Sequence, residues 1–379
     1  MKSLVDQTDH AVLRKGAHDD RARQDFAFSL RNLVTSEWMP STRTVFDKRA
    51  AAGFTRDTGT PPETPRDIRK AMDADSWYRF YLSARRTSQE LIWESVVPAV
   101  EADPPTGGAG ADLDASVVPP RYMSVIDIHC MPGGYAEDRG ENDLAAGAVY
   151  DRGVYLYMSG LMGPRNDAVG ALAVAYLKAH YPDFAPTHIL DMGCGVGHAT
   201  LPYCDGFPEA KVHGCDVAPA LVRYADERAR SWGKTAIFHQ RNAEHTGFSN
   251  QSFDLVTSHI VLHETSTRAL GAILAESYRL LAPGGIAVHV DQPRFDGTDA
   301  WGTFLQENET YYNNEPFWRK YRSIDLHVAA VAAGFATADV TLDILTADVV
   351  QQSQNNVKLS PEAAARRRGG FSILIARRP

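Results

Sequence analysis

His188-Ile-Leu-Asp-Met-Gly-Cys-Gly-Val-Gly-His198 decides how the rest of the chain is read. An apolar run ends in Asp191, and Gly193, Gly195 and Gly197 then turn the chain into a helical stretch. Glycines in this rhythm are needed where backbone takes positive φ or closely approaches a ligand. A dinucleotide site wants G-x-G-x-x-G, with the pyrophosphate on the helix N-terminus. Counted from Gly193 and Gly195, its third glycine falls at residue 198, which is His; Gly197 arrives one place early. An acid at the strand end also suits a cation better than a phosphate.

Outward from this turn, short β-branched runs alternate with helical composition. HILDMG, KVHGCD, TAIFHQ, FDLVTS and GGIAVHVD read as strands, and VTLDIL and FSILIARR as two more near the end. ALVRYADERARSWG and RALGAILAESYRLLAPGG read as helices between them. The alternation predicts an α/β fold, a Rossmann-like, mostly parallel seven-stranded sheet with helices on both faces. Ligands of such sheets sit outside the carboxyl ends of the strands.

Residues 188–291 resemble the class I S-adenosylmethionine-dependent methyltransferases, of small-molecule type, and the resemblance extends over about 165–379. Asp191, Gly193, Gly195 and Gly197 match the family's first motif, with Cys194 as small filler inside it. Asp216 in VHGCDVA, followed by Val217, matches the acid that accepts both ribose hydroxyls. Asn242-Ala243 stands where the family has Asp-Ala beside the adenine, and an Asn oxygen can still accept from the amine. FDLVTSHIVLHE (253–264) and LLAPGGIAVHV (280–290) match the fourth motif and the turn before the fifth strand. The resemblance implies S-adenosyl-L-methionine as cofactor and S-adenosyl-L-homocysteine as product. Tyr155, Tyr157 or Arg165 would close over the cofactor's amino-acid end.

Methyl transfer from a sulfonium is an in-line displacement, so alignment of the acceptor supplies much of the catalysis. A base is required only where the acceptor must lose a proton. His259 and His263 after the fourth strand and Asp291 at the end of the fifth are the candidates, with His259 also a cofactor contact. No third ligand accompanies the two histidines, and no metal is expected. An aromatic-rich insertion at about 292–325 offers Tyr311, Tyr312 and Trp318 as substrate contacts.

The first 160 residues read as a mainly helical domain serving the substrate pocket or dimerisation, with 161–379 as the methyltransferase domain. Phe26, Leu30 and Val34 fall at helical spacing within 25–37, and an amphipathic pattern runs from 67 to 100. Residues 61–65 should break the chain, 103–120 read as a linker or long loop, and a helix is predicted at about 166–181. Arg366 to Arg368 read as a solvated loop face.

Charge and composition narrow the partners. Lys and Arg number 39 against 47 Asp and Glu, a net charge of −8, which disfavours nucleic acid. So does the absence of an Asn/Asp-Pro-Pro-aromatic sequence after the fourth strand, where Ser258-His259-Ile260-Val261 stands. No apolar run is long enough for a membrane, no apolar leader is visible, and the four cysteines form no C-x-x-C pair. These features predict a cytoplasmic enzyme methylating a small molecule, on oxygen first, then carbon, sulfur or nitrogen, with a homodimer allowed. The rival readings are a non-catalytic cofactor-binding regulator, a protein methyltransferase and a nicotinamide oxidoreductase.

Overall fold

The computed structural model describes residues 6–293, 298–346 and 370–379. The arginines at 366–368 lie outside the described residues.

Seven strands form one sheet: β1 (His188–Met192), β2 (Lys211–Asp216), β3 (Ala236–Gln240), β4 (Phe253–His259), β5 (Leu281–Asp291), β6 (Val340–Leu345) and β7 (Phe371–Arg377). Their order is β3-β2-β1-β4-β5-β7-β6; β7 runs antiparallel to both β5 and β6, and the other pairs are parallel. All the strand readings hold, and so does the mostly parallel seven-stranded sheet. Alternation of side chains builds the two faces. Ile189, Leu255, Val288 and Ile375 pack with the helix Ala168–His180, while Leu190, Val256, Ala287 and Leu374 pack with Thr267–Leu280 and Leu326–Ala332.

The order reverses at β1, which pairs with β2 on one side and β4 on the other. That reversal opens a crevice above the carboxyl ends of these strands. It brings Asp191, Asp216 and His259 to one rim.

The N-terminal region is helical, but its phasing differs from the sequence reading. Helical backbone runs from His18 to Thr58 through two π turns, Val34–Trp38 and Phe46–Ala50, and stops at Gly59 with φ 81°. Val34 is buried as expected, whereas Phe26 is 64% exposed. The 67–100 pattern is two helices, Pro65–Asp73 and Ser76–Ala102. Thr64 and Asp67 form a capping box at the first, with Pro65 just inside it. Asp75 caps the second, its side chain accepting from Tyr78 N–H at 3.0 Å.

Ser76–Ala102 and Ala145–Tyr157 share a core with Val196, Leu221 and Tyr224 of the sheet domain. The stretch 103–120 is more than a linker. Asp112 N–H donates to Phe238 O and Asp112 O accepts from Gln240 N–H, both at 2.8 Å, which covers the open edge of β3. The helix Ala300–Tyr312 of the insertion docks on the N-terminal helices, Phe304 entering the cluster of Ile68, Met72, Tyr78 and Tyr81.

Candidate active site

The crevice is a cavity of about 400 Å3, within the roughly 300–1,000 Å3 usual for small-molecule sites. Its floor is the glycine turn. Gly193 and Cys194 N–H both donate to Cys215 O, at 2.8 and 3.0 Å, stitching the turn to β2. Gly195 has φ 51°, and a Cβ there would meet nothing nearer than 3.9 Å, so the backbone presents an open face to the cavity. Gly197 serves packing instead: it does not line the cavity, and a Cβ would lie 3.1 Å from Phe238.

Asp216 and Asp191 hold the two walls. Asp216 accepts from Gly195 N–H and Ala218 N–H, both at 3.0 Å. Burial pushes its carboxyl above the usual range against these backbone donors. Asp191 accepts from Thr200 Oγ1 at 2.6 Å and lies 3.2 Å from His259 Nδ1. His259 Nε2 in turn lies 3.1 Å from Tyr203 Oη, so both ring nitrogens are engaged beneath the turn. Cys194 is buried, and burial with Asp216 and Asp191 nearby raises its thiol well above the ordinary value, which removes it as a nucleophile. Val217, Asn242 and Ala243 line the neighbouring wall, the Asn242 side-chain oxygen accepting from Glu244 N–H at 2.8 Å.

At the far end of the cavity the expected His263 and Asp291 are joined by Glu315, which the sequence reading missed. His263 Nδ1 lies 2.5 Å from Asp291 Oδ1 and its Nε2 3.1 Å from Glu315 Oε2. Burial opposes a charged ring, but Asp291 and Glu315 hold His263 well above its usual value. The ring is therefore an imidazolium at neutral pH with no free lone pair. Both nitrogens of His263, expected as a base, are thus already engaged by carboxylates. Asp291 does not line the cavity; it is the buried counter-ion of His263.

His129 stands opposite, its Nε2 3.0 Å from Glu264 Oε1 and its Nδ1 3.3 Å from Glu315. Burial works against its charge as well, and Glu315 and Glu264 overcome it and raise its value. His129 and Cys130 both have left-handed backbone, φ 56° and 61°. The strain is held by Gln89 Nε2 and Trp93 Nε1, each donating to His129 O at 2.7 Å. Tyr135 Oη donates to Glu264 at 3.3 Å.

The insertion reaches the cavity with different residues from those expected. Trp318 lines it, beside Glu309, Asn313 and Glu315. Tyr311 is 70% exposed, and Tyr312 packs against the N-terminal helices. Glu309 and Asn313 are one turn apart on the inner face, and Tyr311, two residues from each, points away. Of the three residues expected near the first motif, Tyr157 lines the cavity beside Asn313, their side chains 3.1 Å apart. Tyr155 packs under Arg152 and Arg165 stacks on Trp232, both away from it. Tyr150, His198 and Asn166 occupy that wall. Among the described residues no group of three or more His, Cys, Asp or Glu could hold a metal ion. Among them too, no helix is long and apolar enough to cross a membrane.

The strand order, the open-faced glycine turn and the acid ending β2 define a Rossmann-like α/β domain with its crevice at the strand-order reversal. Residues 189–285 match the family model described as a methyltransferase domain. A malonyl-[acyl-carrier protein] O-methyltransferase of Dechloromonas aromatica is 34% identical over 106 residues, 28% of this chain and 36% of that one. A demethylmenaquinone methyltransferase of Thermus thermophilus is 34% identical over 109 residues, 29% of this chain and 49% of that one. The chain thus spans less than half the length of these two relatives. A solved structure of phosphoethanolamine N-methyltransferase 2 of Haemonchus contortus, in complex with S-adenosyl-L-methionine, is 18% identical with a TM-score of 0.40, covering 55% of this chain and 52% of that one.

Proposed function

We propose that this chain is an S-adenosyl-L-methionine-dependent methyltransferase acting on a small-molecule acceptor. The observation that carries the reading is the placement of Asp216 at the rim of the open Gly195 backbone, with Asp191 across the turn. A carboxylate suits a vicinal diol, two acids suit a cationic ligand, and a bare glycine admits close approach. When bound, the cofactor supplies a methyl group on a positively charged sulfur. Asp216 would hold its ribose, and Asn242 and Ala243 would flank its adenine.

The chain's own task is to bind, orient and desolvate the acceptor. Trp93, Tyr157 and Trp318 give the far end apolar walls, and Glu264 takes the place of His263 as the group set to accept a proton. Its Oε1 faces His129 Nε2 and accepts from Tyr135 Oη, which fix the orientation of the carboxylate. An acidic O–H acceptor fits this arrangement first, and the D. aromatica relative is named as an O-methyltransferase. Carbon, sulfur and nitrogen acceptors follow in that order. The net charge of −8 and the cavity lining that 120–135 and 309–318 add to the sheet's own favour a small molecule over nucleic acid.

The test is calorimetric titration of the purified chain with S-adenosyl-L-methionine, followed by mass spectrometry of methyl transfer to phenols and carboxylic acids. Saturable binding and a mass gain of one methyl group are expected. Absence of binding overturns the proposal. Binding without transfer to any acceptor favours the regulatory alternative, and transfer to protein side chains the protein-methylating one.

A further inference from the structure

Asp151 is a fully buried carboxylate that the reaction as described does not use. It gathers an unusual number of donors. His10 Nε2 lies 2.9 Å away, His198 Nε2 2.8 Å, Gln7 Nε2 2.9 Å and Tyr224 Oη 3.0 Å. Asn166 Nδ2 donates to it at 3.1 Å and to its own backbone oxygen at 2.9 Å. Arg228 Nε stands 3.5 Å off as counter-ion. Burial opposes the charge, but His198 and Arg228 hold its carboxyl well below the usual range.

An ionised carboxylate can only accept hydrogen bonds, and this fixes the orientation of its neighbours. His198 must turn an N–H toward it, so Nε2 carries the proton and Nδ1 is left as an acceptor. Asn166 must turn its amide nitrogen toward it, so Oδ1 faces the other way. Both residues line the cavity, as Gly193 and Asp191 do. His198 Nδ1 makes no hydrogen bond among the described residues, and Asn166 Oδ1, in a residue 5% exposed, is buried without a partner. Asn166 also sits in left-handed backbone, φ 56°, which the surrounding structure must hold in place. Tyr150 stacks on the His198 ring with centroids 5.7 Å apart.

Two paired acceptors without donors call for a ligand group rich in N–H. We propose that His198 Nδ1 and Asn166 Oδ1 bind the ammonium of the cofactor's amino-acid end, and that Asp151 is the positioning residue that makes both of them acceptors. The inference rests on the cofactor proposed above. It has a second consequence. Gln7 and His10 reach the same carboxylate from the N-terminal segment, whose Thr8 N–H donates to Pro164 O at 2.7 Å. Ligation at one side of Asp151 and docking of that segment at the other are therefore coupled, and each strengthens the other.

The test compares two ligands of the full chain by calorimetry. S-adenosyl-L-homocysteine carries the amino-acid end, whereas 5′-methylthioadenosine has the nucleoside and sulfur without it. The wild type should prefer the former, and His198→Ala and Asn166→Gly should each lower that affinity about tenfold or more while leaving 5′-methylthioadenosine unchanged. Glycine at 166 keeps the left-handed backbone accessible. His10→Ala, which touches no ligand, should erode the same preference by a smaller factor. In limited proteolysis, S-adenosyl-L-homocysteine but not 5′-methylthioadenosine should slow cleavage within residues 6–16. Equal weakening of both ligands, or an unchanged preference in all variants, overturns the inference while the cofactor assignment stands. Failure of the wild type to bind either ligand overturns the assignment itself.

Discussion

His263 Nδ1 and Asp291 Oδ1 lie 2.5 Å apart, both side chains 1% exposed, and this contact ties the loop after β4 to the end of β5. Two residues expected as separate candidate bases are one ion pair. Glu315 of the insertion closes on the other ring nitrogen at 3.1 Å, so the imidazolium also pins the insertion to the sheet.

Asp291→Asn should destabilise the chain by about 3 kcal/mol or more, since removing one partner strands a buried charge. The sign with pH follows from the raised value of His263. The pair's contribution is fully present below the unfolded histidine value of about 6.5 and is lost as pH rises through the folded one. The difference in Tm between wild type and variant should therefore be larger at about pH 6 than above the raised folded value. A constant difference across that range would remove the charge of His263 from the account.

The facing pair gives a second expectation. Glu264→Gln should lower the titration midpoint of His129 in proton NMR, because Glu264 helps raise it, while Glu315 keeps part of the shift. His129→Asn, with a residue that tolerates left-handed backbone, should fold and bind cofactor as the wild type does. Its turnover should fall by roughly 100-fold or more if His129 and Glu264 handle the acceptor's proton. Unchanged turnover would leave His129 a structural clamp.

Local signals carried the strands, the glycine turn and Asp216. An apolar run ending in D-x-G-x-G-x-G needs only its neighbours to be read. The far end of the cavity was legible only in part: His263, Asp291 and Trp318 could be named, but their partners are assembled from across the chain. His129 meets Glu264 across 135 positions and Arg85 meets Glu309 across 224. The insertion drew attention through its aromatic residues, yet helical phase turns Glu309 and Asn313 inward and Tyr311 outward. His129 did carry a faint signal, a lone histidine in a Cys-Met-Pro-Gly-Gly turn, but nothing local told it from a solvated loop residue. Asp112 shows the same limit: a Pro- and Gly-rich stretch reads as a loop, and only the bare edge of β3 makes it a strap.

The glycines of the turn should separate by experiment. Gly195→Ala places a methyl group in open cavity, so its stability cost should be limited to the left-handed penalty of about 1–2 kcal/mol. Cofactor affinity should nevertheless fall sharply, since the methyl group takes ligand space. Gly197→Ala pays the same backbone penalty and also pushes into Phe238 at 3.1 Å, so it should lose more stability than Gly195→Ala. Paired melting curves and calorimetry decide; the reverse ranking in stability would contradict the assignment of Gly197 to packing.

Asp216→Ala tests the cofactor grip most directly. The carboxyl is raised by burial, so its ionised form is penalised in the fold at neutral pH. The sign is opposite to that of His263: this penalty is present above the raised value and fades as pH falls through the ordinary carboxylate range. Removing the charge relieves it and offsets the loss of hydrogen bonds from Gly195 and Ala218. The variant should therefore melt close to the wild type at pH 7. Two charge-assisted bonds to ribose hydroxyls are together worth about 3–6 kcal/mol, so affinity for S-adenosyl-L-homocysteine should drop by more than about 100-fold. A folded variant that binds with wild-type affinity would remove Asp216 from the ribose, and a variant that fails to fold would show the carboxylate to be structural.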